Sequence, residues 1–181
     1  MIILASKSPR RIAMIKKWNV PFKIIPSDIN EDLFPVDELS YQKAIKIATL
    51  YPNDTIISAD TIVVLDDIVL GKPKNELDAY NMLKSLSNKT HKVITSFSII
   101  NIKKDINISD TVTSFVTFND LNDQLINDYI LTKSPFDKAG GYGIQDNDKF
   151  PLIKKLEGSL DNVIGFPDRE IKTILMQNNL L

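Results

Sequence analysis

Residues 1–18 read Met1-Ile2-Ile3-Leu4-Ala5-Ser6-Lys7-Ser8-Pro9-Arg10-Arg11-Ile12-Ala13-Met14-Ile15-Lys16-Lys17-Trp18. The short apolar run at residues 2–4 reads as a strand. Ser8 is a favoured N-cap, and Pro9 suits the first helical position, where its missing N–H costs nothing. Ile12, Ile15 and Trp18, with Lys16 and Lys17 between them, have the i, i+3 spacing of a one-sided apolar helix face. Strand, polar loop and helix therefore follow one another within eighteen residues, which is the opening of an α/β fold. That placement puts Arg10 and Arg11 in the first helical turn, at the positive end of the macrodipole, where each like charge costs roughly 0.3–1 kcal/mol at an exposed site. An anion at the same helix start would reverse the sign, since free N–H groups and two guanidiniums would share one target. Two solvated arginines with tolerable repulsion is the alternative.

Working outward, strand and helix signals keep alternating. Residues 22–25 are extended and residues 37–50 helical, with Pro52 beyond as a stop. Residues 55–58 and 61–65 are β-branched strand segments, and Asp66-Asp67 turns the chain into residues 68–70. Residues 75–86 form an amphipathic helix with Leu77, Tyr80, Leu83 and Leu86 at helical spacing. Residues 92–102 and 106–118, joined by Lys103-Lys104-Asp105, read as an antiparallel hairpin. A helix follows at residues 121–131, and after a long loop region the last helix spans residues 168–177. Trp18 and the stripe Ile171, Ile174, Leu175 are core candidates. The mixture predicts an α/β fold: one three-layer domain over residues 1–181, with a central mixed, twisted sheet flanked by helices.

Composition narrows the chemistry. The 181 residues contain no cysteine and one histidine, His91, so disulfides, thiolate nucleophiles and zinc sites built on Cys or His drop out. Any metal would be held by oxygen ligands, which points to Mg²⁺ or Mn²⁺. A net charge of −1 and a pI near 5.8 argue against nucleic-acid or anionic-membrane binding. No apolar run approaches the ~20 residues that span a bilayer, and cytoplasm is the expected compartment.

The six glycines all fall in loops beside polar residues. Gly71 opens Gly71-Lys72-Pro73; Gly140, Gly141 and Gly143 lie between Asp137-Lys138 and Ile144-Gln145; Gly158 and Gly165 bracket Ser159 to Ile164. Glycine allows φ > 0 and close backbone approach, and such runs can form N–H-lined concavities for phosphate oxygens. With Lys72, Lys138, Arg10 and Arg11 nearby, these loops suit a small polyanion better than nucleic acid. Asp60 interrupts an apolar stretch, and a carboxylate there needs a cation, a metal or hydrogen-bond donors to stay charged. It is a general base or metal anchor on one reading, and a strand-end or bulge residue on the other.

Taken in order, these blocks resemble the Maf-type nucleotide pyrophosphatases, a family also described as septum-formation inhibitors. Leu4-Ala5-Ser6-Lys7-Ser8-Pro9-Arg10-Arg11 is similar to the family's opening signature, and Ser27-Asp28-Ile29-Asn30-Glu31 to its acidic segment. Lys43-Ala44 resembles the helix lysine motif, and Ala59-Asp60-Thr61-Ile62-Val63 the central Asp motif. Gly71-Lys72-Pro73, His91 to Thr95, Asp137 to Gln145 and Gly158 to Pro167 match the remaining blocks. Departures are modest: Gly141 stands where alanine is usual, Asn88 replaces a glycine, Leu160 and Phe166 replace a tyrosine and a leucine, and residues 32–42 are short.

The resemblance implies a nucleoside triphosphate substrate, cut between the α- and β-phosphates to a monophosphate and pyrophosphate with a divalent cation. It implies Asp60 as proton acceptor and metal ligand, Glu31 as metal ligand, and Ser6, Arg10, Arg11, Lys43, Lys72 and Lys138 as phosphate contacts. It also implies a homodimer. Arg10, Thr61 and Gln145 are similar to the branch acting on dTTP and UTP, and a Gln amide can match the carbonyl and N–H edge of a pyrimidine. The alternatives are a 7-methyl-GTP pyrophosphatase and a non-catalytic nucleotide-binding regulator of cell division. His91 is expected to play a structural hydrogen-bonding part.

Overall fold

A computed structural model describes all 181 residues. The opening stretch folds as its sequence dictates. Strand β1 (Ile2–Leu4) is wholly buried, and helix α1 (Pro9–Lys16) follows with Pro9 in its first turn. Ser8 occupies the N-cap with extended backbone, but its side chain makes no capping hydrogen bond. Its N–H instead donates to Ser6 Oγ at 3.2 Å, so Ser6 closes the turn before the helix.

Strand β2 (Phe22–Ile24) and helix α2 (Leu39–Leu50) come next. Strand β3 (Thr55–Leu65) is a single eleven-residue strand, where the sequence suggested two segments broken at Asp60. Alternation explains the continuity, because one polar residue on one face of a strand breaks no ladder hydrogen bond. Asp66 and Asp67, both at positive φ, turn β3 into the antiparallel strand β4 (Ile68–Leu70). Two consecutive positive-φ residues are what a tight two-residue hairpin requires.

Helix α3 (Glu76–Leu86) is capped by Asn75, whose side chain accepts the Asp78 N–H. Its buried face is Ala79, Leu83 and Leu86, while Leu77, expected on that face, is 69% exposed. Strands β5 (Thr90–Asn101) and β6 (Ile106–Phe118) are neighbours in the sheet. Thr90 bonds Thr117 and Ser98 bonds Ser109 across them, so facing residues run in opposite directions, as expected for a hairpin. The link is a single 3₁₀ turn closed by Asp105 in the left-handed region. Helix α4 (Asp123–Leu131) is capped by Asn122. The region read as loop then yields strand β7 (Ile153–Glu157) and helix α5 (Leu160–Ile164) before helix α6 (Asp168–Gln177) closes the chain.

The sheet is mixed and seven-stranded, in the order β2-β1-β3-β5-β6-β7 with β4 on β3. β1 pairs in parallel with both β2 and β3, whereas β6 and β7 are antiparallel. The chain divides into two compact units. The first comprises Met1–Asp60, Thr95–Val112 and Gly165–Leu181. Its core includes Ile3, Ala5, Ala44, Ile47, Ala48, Ile56 and Ile100. The second comprises Thr61–Ile94 and Thr113–Ile164, with a larger core that includes Leu83, Leu86, Phe118, Ile126 and Tyr129. No helix is long and apolar enough to cross a membrane.

Candidate active site

In the first unit, five of the residues singled out by sequence converge. Asp60 lies on β3 with only 16% of its side chain exposed, and Lys43, on the buried face of α2, is 11% exposed. The Lys43 ammonium sits 2.7 Å from Asp60 Oδ1 and 2.9 Å from Glu31 Oε1. One cation thus joins two carboxylates that lie far apart in sequence. Glu31 is the outer member, with 57% of its side chain exposed. It stands at the start of a 3₁₀ turn, Glu31–Leu33, capped by the Asn30 side chain. The neighbouring Asp28 carbonyl accepts from Lys46 Nζ of α2, which ties this acidic segment to the helix that carries Lys43.

Arg11 completes the group. Its Nε donates to the Gly165 carbonyl at 2.8 Å and its Nη1 to Ser6 Oγ at 3.4 Å. Burial lowers the guanidinium pKa; Asp60 opposes that, Arg10 adds to it, and Glu31 opposes it again. Arg11 therefore lies within electrostatic reach of both carboxylates that Lys43 bridges. Ser6 Oγ accepts from both Arg11 and the Ser8 N–H, which leaves its hydroxyl proton as the group's remaining hydrogen-bonding capacity. Behind Arg11, the Gly165 segment is held by the core. Phe166 packs on Trp18 with ring centroids 5.7 Å apart, and Trp18 Nε1 donates to Asp168. Gly165 has φ +101°, a conformation that favours glycine, and it aims a carbonyl at the arginine.

Arg10, Arg11 and Lys43 against Glu31 and Asp60 leave one net positive charge at the start of α1, where the helix dipole adds to it. Such a centre attracts an anion while retaining a desolvated carboxylate. No set of three His, Cys, Asp or Glu side chains gathers to hold a metal; Glu31 and Asp60 both lie on the Lys43 ammonium.

In the second unit, the remaining expected residues occupy β3 and two linked loops. Thr61 is half-buried on β3, next in sequence to Asp60, and Lys72 is exposed. The Gly140 N–H donates to the Gly71 carbonyl at 2.9 Å, which pins the Lys72 loop to the loop that carries Lys138. Gly140 and Gly141 both have φ +71°, and a Cβ on Gly140 would press on Val63 at 3.0 Å. Gly143 is flanked by the side chains of Lys138 and Gln145: a Cβ there would meet Lys138 Cε at 2.7 Å and Gln145 Oε1 at 3.0 Å. Lys138 is 12% exposed and bonded to Asp137 at 2.7 Å.

Sequence reasoning missed the buried supports of this loop. Tyr129 of α4 is fully buried; its hydroxyl donates to Asp146 Oδ2 at 2.7 Å and accepts the Gly143 N–H at 3.0 Å. The only available signal was chemical, since a buried Tyr hydroxyl needs a partner. His91, expected to be structural, is 2% exposed. Its Nε2 is 2.6 Å from the Tyr142 hydroxyl, and its ring stacks edge-on with Phe118 and Tyr142.

The family model described as Maf-like protein matches residues 1–178. The chain belongs to the Maf family. It is similar to proteins named dTTP/UTP pyrophosphatase in several bacteria. With that of Ruminiclostridium cellulolyticum it shares 40% identity, covering 98% of this chain and 96% of the relative. With that of Thermosipho africanus the figures are 43%, 99% and 94%, and with that of Fusobacterium nucleatum 44%, 92% and 89%. Among solved structures, the Staphylococcus aureus Ham1 protein aligns with a TM-score of 0.51 at 16% identity, over 66% of this chain and 72% of that one. That likeness is one of fold, and it matches the mixed sheet flanked by helices seen in this member of the Maf family.

Proposed function

We propose that this chain hydrolyses dTTP and UTP between the α- and β-phosphates, releasing the monophosphate and pyrophosphate, with Asp60 as the proton acceptor. The observation that carries this reading is the Lys43-bridged pair of Asp60 and Glu31 beside Arg11 at the start of α1. The names borne by relatives at 40–44% identity over nearly their whole length support the substrate.

The chemistry follows from the charges. Water attacking the α-phosphorus must lose a proton, and the leaving pyrophosphate gains negative charge. Asp60 is mostly buried, its carboxylate lies 2.7 Å from the Lys43 ammonium and Arg11 is within electrostatic reach; it is the carboxylate proposed to take the proton. Arg10, Arg11 and the Ser6 hydroxyl are proposed to hold phosphate oxygens, as preorganised electrostatics that need no rearrangement as charge develops. Lys43 orients Asp60, and its charge also faces the incoming phosphates. Thr61, Lys72, Lys138 and Gln145 are proposed as substrate contacts on the strength of the motifs they share with the family, Gln145 through its amide toward the pyrimidine edge.

Glu31 and Asp60 suit a divalent cation of the Mg²⁺ type, which is commonly bound by one or two carboxylates together with substrate phosphates and not by an all-protein cage. When bound, such an ion would lower the pKa of attacking water and offset phosphate charge.

A side-by-side panel tests the proposal. Purified protein with Mg²⁺ or Mn²⁺ is given dTTP, UTP, 7-methyl-GTP, dATP and GTP, and pyrophosphate and orthophosphate are measured separately. Pyrophosphate release fastest from dTTP and UTP is the expected result. Preference for 7-methyl-GTP would overturn the substrate, release of orthophosphate the bond that is cut, and no release from any nucleotide the activity.

A further inference from the structure

The hydrogen bonds from Tyr129 continue through Asp146 and Ser134 to Lys138, and Asp146 and Ser134 have so far been given no role. Asp146 Oδ2 accepts from the Tyr129 hydroxyl at 2.7 Å and from the Ser134 hydroxyl at 2.6 Å. Because both hydroxyls spend their protons on the carboxylate, each has only lone pairs left to offer. Tyr129 uses its own to accept the Gly143 N–H at 3.0 Å. Ser134 uses its own to accept from Lys138 Nζ at 3.0 Å, while its backbone carbonyl takes a second hydrogen bond from the same ammonium at 2.7 Å. The orientation of both hydroxyls is thus set by one carboxylate. It fixes the backbone at Gly143, against which the Lys138 and Gln145 side chains rest, and it fixes the Lys138 ammonium.

We propose that Asp146, acting through Tyr129 and Ser134, is a positioning residue that holds Lys138 and the Gly143–Gln145 backbone in their substrate-binding arrangement. Tyr129 is well placed for this: it comes from α4, its ring packs at 5.2 Å from Phe150, and it links the rigid helix to a loop whose two consecutive glycines at φ +71° give it little stiffness of its own. Lys138 and Asp137 form an ion pair that the network orients as a unit, with the ammonium donating to Ser134 and Asp137 together. The inference rests on the proposed dTTP/UTP pyrophosphatase activity, in which Lys138 and Gln145 contact substrate.

The test is steady-state kinetics on dTTP with the full-length chain. Asp146→Ala should raise KM about tenfold while kcat stays within about threefold, the order expected when the charged acceptor that orders a binding group is lost. Asp146→Asn keeps an acceptor oxygen for both hydroxyls and should restore KM to within about twofold of wild type. In a Lys138→Ala background, the fold change from Asp146→Ala should be smaller than in the wild type, because one of the two features it positions is gone. Should Asp146→Ala fail to fold, Ser134→Ala, which removes the hydroxyl link to Lys138 and leaves the Tyr129 branch intact, should raise KM in the same direction by a smaller factor, about threefold. A wild-type enzyme active on dTTP, with Asp146→Ala or Ser134→Ala lowering only the melting temperature and leaving KM unchanged, overturns this inference and spares the functional reading. Equal fold losses with and without Lys138 overturn it too. A wild-type chain inactive on every nucleotide overturns both.

Discussion

Replacing Lys43 by methionine removes the ammonium that bridges Asp60 and Glu31 and keeps the side-chain volume nearly constant. At 2.7 Å, the Lys43–Asp60 attraction is about 6 kcal/mol with an effective dielectric of 20, most of it spent on desolvating the two groups. What remains to be lost is set by the charge left behind. Breaking a fully buried pair from one side costs about 3–5 kcal/mol. Asp60 keeps 16% exposure and the influence of Arg11, which lowers the expected loss to about 2–3 kcal/mol. Glu31, at 57% exposure, is relieved by water and adds little. At roughly 2–4 °C per kcal/mol for a chain of this size, the melting temperature should fall by about 5–10 °C. Urea unfolding followed by the fluorescence of Trp18, the sole tryptophan, reads the loss in the unit that holds the cluster. Adding Asp60→Asn to Lys43→Met should recover at least about 1 kcal/mol relative to additivity, since the stranded charge is then gone. A Lys43→Met protein within about 0.5 kcal/mol of wild type, or a cycle with no coupling, would refute the argument that the Lys43–Asp60 ion pair stabilises the fold.

Two further outcomes follow from the second unit. Burial lowers His91 from 6.5 to about 4, so between those values the unfolded chain binds a proton that the folded one excludes. Stability should therefore fall as pH drops from about 6.5 toward 4, by about 3 kcal/mol from this group; His91→Gln should flatten that part of the profile, and an unchanged slope in melting temperature against pH would contradict it. Gly140→Ala should cost at least about 1–2 kcal/mol, from its left-handed backbone and its contact with Val63. Gly71→Ala, with open space around the added methyl, should stay within about 0.5 kcal/mol of wild type or gain slightly; thermal unfolding of both variants decides.

Local signals carried much of the fold. The run from Ile2 to Leu4, Pro9 opening α1 and the Asp66-Asp67 turn each act within a few residues, so the sequence shows them directly. Asn88, read as a left-handed turn residue, has φ +56°. β7 was not legible because Ile153 and Leu156, its two half-buried apolar residues, lie three apart with Lys154 and Lys155 exposed between them. That spacing mimics a helix, and the strand fits β6 only through a register shift between Thr117 and Phe118. The short α5 has too few residues to show a period. In the candidate site, the motifs pointed to Asp60, Glu31, Lys43 and Arg11 one by one. Their pairing depends on α2 lying against β3, a tertiary contact that no local pattern encodes. The Asp146 chain was invisible for the same reason, since Tyr129, Ser134 and Asp146 each look like ordinary helix or loop residues.

The role given to Asp60 is tested most directly by Asp60→Asn, which keeps the side chain's shape and an oxygen for Lys43 while removing the base. With dTTP and Mg²⁺, pyrophosphate release should fall by about 10²–10⁴-fold, while dTTP affinity measured by calorimetry stays within about threefold of wild type. An Asn variant that still releases pyrophosphate within tenfold of the wild-type rate would contradict the assignment of Asp60 as the proton acceptor.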